Sequence, residues 1–182
     1  NIGDKRYYVD ENGARRQECW FSVTSVNSAG ISYTNWYYAD SDGALLRNGW
    51  HELQGKSYYF DINGNSPRNN WVNIDLNRYY VDTDGVRMQN GWFSIEGVNG
   101  YGQKVENWDY ADSDGLIKRW GWNQIGENWY YFDNNGTSYR SRWYVDGKKK
   151  RYYLDTDGVL KANGWFSVKT GNAATNNLKT TW

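Results

Sequence analysis

A short aromatic motif recurs seven times along this chain and limits its fold more than any other feature. The motif reads Tyr-Tyr-x-Asp-x-(Asn/Asp)-Gly with small variations, and a Trp stands seven positions after each glycine. The turn glycines are Gly13, Gly43, Gly64, Gly85, Gly115, Gly136 and Gly158, and the tryptophans are Trp20, Trp50, Trp71, Trp92, Trp122, Trp143 and Trp165. Such constant spacing is typical of a repeat architecture, in which each copy packs on its neighbours.

Each copy of the motif predicts a β-hairpin. Tyr and Val lead into Asn-Gly or Asp-Gly, a strong hairpin signal, and the second strand ends at the Trp. The residues predict one repeat module over 1–182, with hairpins near 5–20, 35–50, 56–71, 77–92, 107–122, 128–143 and 150–165 and the start of an eighth at Trp182. The turn also resembles the start of a calcium loop, but the later ligands are missing. We therefore predict plain turns and no metal site.

The hairpin motif also shows a second, longer period along the sequence. The turn glycines are spaced by 30, 21, 21, 30, 21 and 22 residues, so the hairpins come in threes. This pattern predicts an all-β fold, a β-solenoid of seven stacked hairpins with about three hairpins per turn. Long polar linkers follow Trp-Phe-Ser at 20–22, 92–94 and 165–167, and we expect them to emerge along one edge.

Composition excludes several classes of function. The 12 Trp, 17 Tyr and 5 Phe outnumber Ile, Leu and Val, so aromatic rings must form the core as well as any binding site. The formal charge of zero gives no electrostatic reason to expect nucleic acid as a partner. No apolar run approaches the ~20 residues of a membrane span, so no membrane insertion is expected. No nucleophile and base recur together, which predicts a noncatalytic chain without a cofactor.

The sequence resembles the cell-wall-binding repeat family, which includes choline-binding and glucan-binding repeats. The closest stretch runs from Gly121 to Gly136 and contains Gly-Trp, a short turn and Trp-Tyr-Tyr-Phe-Asp-x-x-Gly. The resemblance extends from Lys5 to Trp182. It implies a β-solenoid with ligand sites between neighbouring hairpins, where aromatic rings enclose a trimethylammonium group or stack on sugar rings.

Three junctions between hairpins keep all the aromatic positions that such a site needs. We predict ligand binding at Trp122, Trp129 and Tyr131 first, because this junction has the short connection of the family, and then at Trp20, Trp36, Tyr38, Trp92, Trp108 and Tyr110. Arg78 and Arg151 replace an aromatic wall at two other junctions, and Ser57 leaves a third one open. The basic residues of the second strands, among them Arg68, Arg87 and Arg140, are expected to form a solvated face.

Together with these residues, the resemblance implies a noncatalytic module that attaches a larger secreted protein to a cell-wall polymer. The expected partner is choline-bearing teichoic acid or a glycan, and the expected location is extracellular and associated with the cell wall. The alternative is a structural spacer or a protein-binding stalk in which every aromatic residue belongs to the core.

Overall fold

The chain is built from β-hairpins. A computed structural model describes residues 3–163, 166–172 and 177–181. These residues contain no helix, and their fourteen strands pair into seven two-stranded sheets. The predicted all-β fold of hairpins is therefore confirmed, whereas three hairpins per turn remains a prediction. The start of an eighth hairpin at Trp182 and the turn-associated Trp165 lie outside the described residues.

The residues group into two compact units, and the single module predicted for 1–182 remains a prediction. The first unit contains residues 1–91 and 111–117, and the second contains residues 92–110 and 118–182. Strands of the first unit are β1 (Cys19–Val26), β2 (Ser32–Ala39), β3 (Gly49–Leu53), β4 (Lys56–Phe60), β5 (Asn70–Ile74) and β6 (Asn77–Val81). The remaining strands, which lie mainly in the second unit, are β7 (Gly91–Val98), β8 (Lys104–Ala111), β9 (Gly121–Ile125), β10 (Asn128–Phe132), β11 (Arg142–Val145), β12 (Arg151–Leu154), β13 (Val168–Asn172) and β14 (Asn177–Thr181).

The ladders lie half a repeat away from their predicted places. The sequence placed a hairpin across each Asp-x-x-Gly turn, for example over 35–50. In the structure β1 pairs with β2, β3 with β4 and β5 with β6, so each ladder begins at the Trp that was expected to end a hairpin. The predicted turns do form, but the residues across them meet only in isolated bridges such as Ala39 with Leu45. The predicted hairpin boundaries are therefore wrong.

The segment after each turn divides its hydrogen bonds between two strands, which explains this shift. The Leu45 amide donates to the Arg6 carbonyl at 2.8 Å, and the Leu46 amide donates to the Tyr38 carbonyl at 3.0 Å. A segment that alternates between partners cannot extend a ladder with either of them. It instead links one hairpin to the next, so the turns are the places where successive repeats within a unit are joined.

The turns themselves are held by their first aspartate. Asp61 Oδ1 accepts hydrogen bonds from the amides of Asn63 at 2.7 Å and Asn65 at 2.9 Å. Gly64 completes the turn with φ of 88°, a conformation that favours glycine. This carboxylate oxygen is thus engaged by backbone donors, as a plain turn requires.

All three expected linkers contain paired strands, and the third contains β13 paired with β14. Residues 22–26 and 32–35 extend the β1–β2 ladder, and the chain reverses at Asn27, whose carbonyl accepts the Gly30 amide at 3.0 Å. The corresponding segment after Trp92 forms the long strands β7 and β8, with the same turn from Asn99 to Gly102. Long hairpins at these places therefore replace the expected linkers.

The core contains the residue that ends the second strand in each of the first six hairpins. These residues are completely buried: Ala39, Phe60, Val81, Ala111, Phe132 and Leu154. Tryptophans pack on the larger ones, since Trp20 stacks on Phe60 at 5.5 Å and Trp92 stacks on Phe132 at 5.7 Å. Aromatic residues thus take the place that aliphatic residues hold in most cores.

Candidate aromatic ligand site

The three predicted junctions each bring a Trp against the Tyr that faces it across a ladder. Trp20 pairs with Tyr38 and their ring centroids lie 5.4 Å apart, nearly perpendicular. The corresponding distances are 5.3 Å for both Trp92 with Tyr110 and Trp122 with Tyr131. The structure therefore brings these predicted pairs together.

The second tryptophan of each junction lies on the same face, two residues before that tyrosine. Trp36 faces Ser22, and Trp129 faces Gln124, each one step along the face from the Trp–Tyr pair. Trp129 is 45% exposed and Trp36 is 36% exposed, so each presents ring surface to solvent.

A further aromatic wall comes from the next hairpin, and the sequence analysis did not identify it. The ring of Tyr58 lies 4.9 Å from Trp20, Tyr130 lies 4.8 Å from Trp92, and Tyr152 lies 5.1 Å from Trp122. These tyrosines occupy the middle position of the motif. Because side chains alternate along a strand, the middle tyrosine points to the opposite face from the Trp–Tyr pair of its own hairpin. In a stack of hairpins, that face packs against the preceding hairpin. Tyr58 and Tyr130 are buried by this packing.

Each junction therefore forms a site with three walls. We call these the Trp20 site (Trp20, Trp36 and Tyr58), the Trp92 site (Trp92, Trp108 and Tyr130) and the Trp122 site (Trp122, Trp129 and Tyr152). The first belongs to the first unit, and the other two belong to the second unit.

An arginine occupies the Trp20 site. The guanidinium carbon of Arg68 lies 4.6 Å from the ring centre of Trp20, 5.2 Å from that of Trp36 and 5.9 Å from that of Tyr58. Burial lowers the pKa of Arg68, although Tyr58 and nearby carboxylates oppose this effect. Its guanidinium also donates to the carbonyl of Asp84. The three rings thus hold a cation that is part of the chain.

The Trp92 site repeats this arrangement. The guanidinium carbon of Arg140 lies 5.1 Å from the ring centre of Trp92 and 4.4 Å from that of Trp108. Burial again lowers the pKa of this arginine, and its Nε donates to Ser138 Oγ at 3.1 Å. The prediction that the second-strand arginines form a solvated face is therefore wrong for Arg68 and Arg140.

Other junctions also carry an arginine over the tryptophan. Arg87 lies over Trp50 at 5.0 Å, which covers the junction that Ser57 was expected to leave open. Arg78 lies over Trp71 at 3.8 Å, in the place of the missing aromatic wall. Arg151 does the same over Trp143 at 4.5 Å.

The Trp122 site has alanine where the other two three-walled sites have arginine. Arg68, Arg140 and Ala162 each stand four residues after a turn glycine. The segments that carry them are anchored alike, because the amides of Ser66, Ser138 and Leu160 donate to the carbonyls of Trp36, Trp108 and Trp129 at 2.7, 2.8 and 2.9 Å. Ala162 has no cationic group to insert. Within the described residues, no cationic side chain lies over Trp122 or Trp129.

Two lysines lie near the Trp122 site and neither fills it. Lys161 Nζ is paired with Asp155 at 2.8 Å. Lys150 is exposed, and its Nζ lies 5.2 Å from the ring centre of Tyr152 alone. The hydroxyl of Tyr152 donates to Asp146 Oδ2 at 3.3 Å, which helps to orient this ring.

The described residues show no helix that could cross a membrane. In the same part of the chain, no three His, Cys, Asp or Glu side chains are grouped as a metal site requires.

Comparisons with known proteins agree with the repeat. The family model of the cell wall binding repeat, a choline-binding family, matches residues 31–45, 69–87, 121–138 and 141–160. No curated protein matches the chain significantly.

Among solved structures, choline binding protein F from Streptococcus pneumoniae, crystallised with a tetrasaccharide-pentapeptide peptidoglycan analogue, is 26% identical with a TM-score of 0.60. That match covers 86% of this chain and 43% of the other. The structure of CbpF in complex with ipratropium is similar in fold, with a TM-score of 0.69, 24% identity and coverage of 93% of this chain and 55% of the other. The chain thus spans about half of the chains that it matches. The resemblance seen in the sequence is confirmed, because four segments of the chain match the cell wall binding repeat and the fold is similar to that of choline binding protein F.

Proposed function

We propose that this chain is a noncatalytic module that binds quaternary ammonium groups of the choline type at the Trp122 site. The module attaches a larger secreted protein to a choline-bearing cell-wall polymer such as teichoic acid, outside the cell. The observation that carries this proposal is that Ala162 supplies no cation to an aromatic site, whereas an arginine lies over the tryptophans of each of its two counterparts.

The chemistry of the walls supports a cationic ligand. Aromatic faces attract cations by their quadrupole, and this attraction contributes ~0.5–2 kcal/mol for each ring. Three rings of the Trp20 site lie around the Arg68 guanidinium, and both tryptophans of the Trp92 site lie against the Arg140 guanidinium. A trimethylammonium group has the same charge and also a methyl surface that gains from burial against the rings.

The location of the site fits a polymer ligand. Trp129 is 45% exposed, so the ligand can remain tethered to a chain in solvent. Three rings at the strength above give an affinity in the millimolar range. A polymer that carries many choline groups compensates for such weak binding through multivalency when a protein has several modules or copies.

The test is a titration with choline chloride followed by tryptophan fluorescence, against sodium chloride at equal ionic strength. We expect saturable binding that Trp129→Ala weakens by about 2- to 30-fold, the equivalent of one ring. The matched control is Trp120→Ala, because Trp120 is also exposed, at 59%, and belongs to the same unit but not to the site.

A soluble α-glucan titrated in parallel separates the remaining classes of function. Glucan binding without a choline response would assign the module to the sugar-binding repeats. Binding of neither choline nor the glucan would contradict the proposal and support the structural spacer.

A further inference from the structure

Two sites in this chain have the walls of a quaternary ammonium site but contain an internal cation. Arg68 in the Trp20 site and Arg140 in the Trp92 site each lie within 5.2 Å of the ring centres of two tryptophans. Both arginines follow their turn glycine by four residues, and both are partly desolvated. Because a guanidinium and a trimethylammonium group seek the same negative ring faces, one excludes the other from a single site.

We propose that Arg68 and Arg140 act as resident ligands that close two latent quaternary ammonium sites, and that residue identity at this one position decides whether a site is open. The proposal rests on the proposed function, since it assumes that the unfilled counterpart accepts a choline group. It makes the residue four positions after the turn glycine the specificity determinant of each three-walled site.

Hydrogen bonds hold the guanidinium groups of these two arginines in place. Arg140 Nε donates to Ser138 Oγ at 3.1 Å, and Arg68 donates to the carbonyl of Asp84. These bonds fix each guanidinium between the rings, whereas a cationic side chain that only screened surface charge would need no such partner. A diffusible cation must compete with a tethered one, whose effective concentration is high, so these sites remain closed to millimolar ligands.

The first experiment removes the resident cation from the Trp92 site in a background in which the Trp122 site is weakened. In the Trp129→Ala background, which weakens the Trp122 site by about 2- to 30-fold, we expect a choline response only at correspondingly higher choline concentrations. Adding Arg140→Ala should restore saturable choline binding, with an affinity within about tenfold of the wild-type value because the three walls are of the same types. Arg140→Met in the same background is the matched control, since a methionine fills the space without leaving room for the ligand.

The reciprocal experiment closes the open site without disturbing the core. Ala162 is exposed, so Ala162→Arg should fold, and it should weaken choline binding by at least about tenfold. Asn134→Arg adds the same charge at an exposed turn position outside the site and should bind as the wild type does. The Ala162→Arg variant keeps the proposal testable if Arg140→Ala fails to fold. Melting curves recorded with and without choline check the folding of every variant.

The outcomes separate this proposal from the proposed function. Choline binding by the wild type, without gain in the folded Arg140→Ala variant or without loss in Ala162→Arg, overturns the resident-ligand proposal alone. If the wild type does not bind choline but the Arg140→Ala variant does, the resident-ligand proposal is supported and the Trp122 site is not a choline site. If neither the wild type nor the Arg140→Ala variant binds choline, both proposals are overturned.

Discussion

Tyr131 stacks on Tyr144, with ring centroids 3.9 Å apart and planes inclined by 28°. A side-chain hydrogen bond between the two hydroxyl groups is the main reason that the pKa of Tyr131 rises from 10.0 to about 12, with burial as the second cause. Tyr131 is the predicted site residue that faces Trp122 across the ladder. The ring stack therefore packs β10 against β11, while the ring of Tyr131 also lies edge-on against Trp122.

This hydrogen bond predicts a loss of stability in alkaline solution. A raised pKa means that the folded chain holds the proton more tightly than the unfolded chain, so the stabilisation is complete below pH 10.0 and is lost as the pH rises towards about 12. Tyr144→Phe removes the partner hydroxyl and keeps the ring stack. We expect it to lower the free energy of unfolding by about 1 kcal/mol at pH 8, and the difference from wild type to shrink above pH 10.

Urea denaturation at several pH values measures this difference. Tyr101→Phe is the control, because Tyr101 is 90% exposed. A gap between wild type and Tyr144→Phe that stays constant from pH 8 to pH 12 would show that the hydrogen bond does not control the titration of Tyr131.

Trp120 has a backbone conformation that a bulky residue rarely adopts, with φ of 59°. Asparagine stands at the equivalent place in other repeats, namely at Asn48, Asn69, Asn90 and Asn163, with φ from 46° to 61°. Asparagine tolerates this region better than other residues with a side chain. Trp120→Asn and Trp120→Ala both lose the contact with the Arg119 guanidinium at 3.9 Å, so their difference reports the backbone alone. We expect the Asn variant to be more stable than the Ala variant by about 0.5–1 kcal/mol in thermal melts. Equal melting temperatures would show that the strain is relieved elsewhere.

The turn aspartates predict a second kind of stability loss. Asp133 Oδ1 accepts the amides of Asn135, Gly136 and Thr137 at 2.8, 2.9 and 3.0 Å. Asp133→Ala leaves these donors without the carboxylate and should cost about 1–2 kcal/mol in free energy of unfolding. Asp133→Asn keeps an acceptor oxygen and should cost less than half of that amount. Asn134→Ala, in the same turn, is the control and should be nearly neutral; a large effect there would mean that turn propensity, and not the carboxylate, is being measured.

Much of this architecture was readable from the sequence, and the parts that were not have physical reasons. The Asp-x-x-Gly turns were identified correctly, but turn chemistry does not reveal which strand the following segment joins. The Leu45 and Leu46 amides bond to two different partners, and this divided bonding moved every ladder by half a repeat. Pairing beyond the turn depends on the stacking of repeats, which local sequence signals do not contain.

The binding site shows the same limit. Trp122 and Trp129 were identified from their place in the motif, whereas Tyr152 was missed because the alternation rule considers one hairpin at a time. Arg68 and Arg140 were assigned to the surface because arginines usually lie there. One signal was available: the two arginines stand 72 residues apart, as do Trp36 and Trp108, so each arginine recurs with the tryptophan that it covers.

The turn glycines offer a direct measurement of how closely the repeats approach. A Cβ added at Gly43 would lie 2.7 Å from the carbonyl oxygen of Arg16 in the preceding repeat, whereas a Cβ at Gly13 would meet nothing within 4 Å. Both residues have a similar positive φ, of 74° and 79°, so alanine suffers the same backbone strain of about 1 kcal/mol at either position. Gly43→Ala should cost about 1–3 kcal/mol more than Gly13→Ala, because a backbone oxygen can move aside only if the two repeats separate. Chemical denaturation of both variants measures the difference. Equal losses would mean that the turn of one repeat does not rest on the segment of the repeat before it, and that the stack is looser than the hydrogen bond from Leu45 to Arg6 indicates.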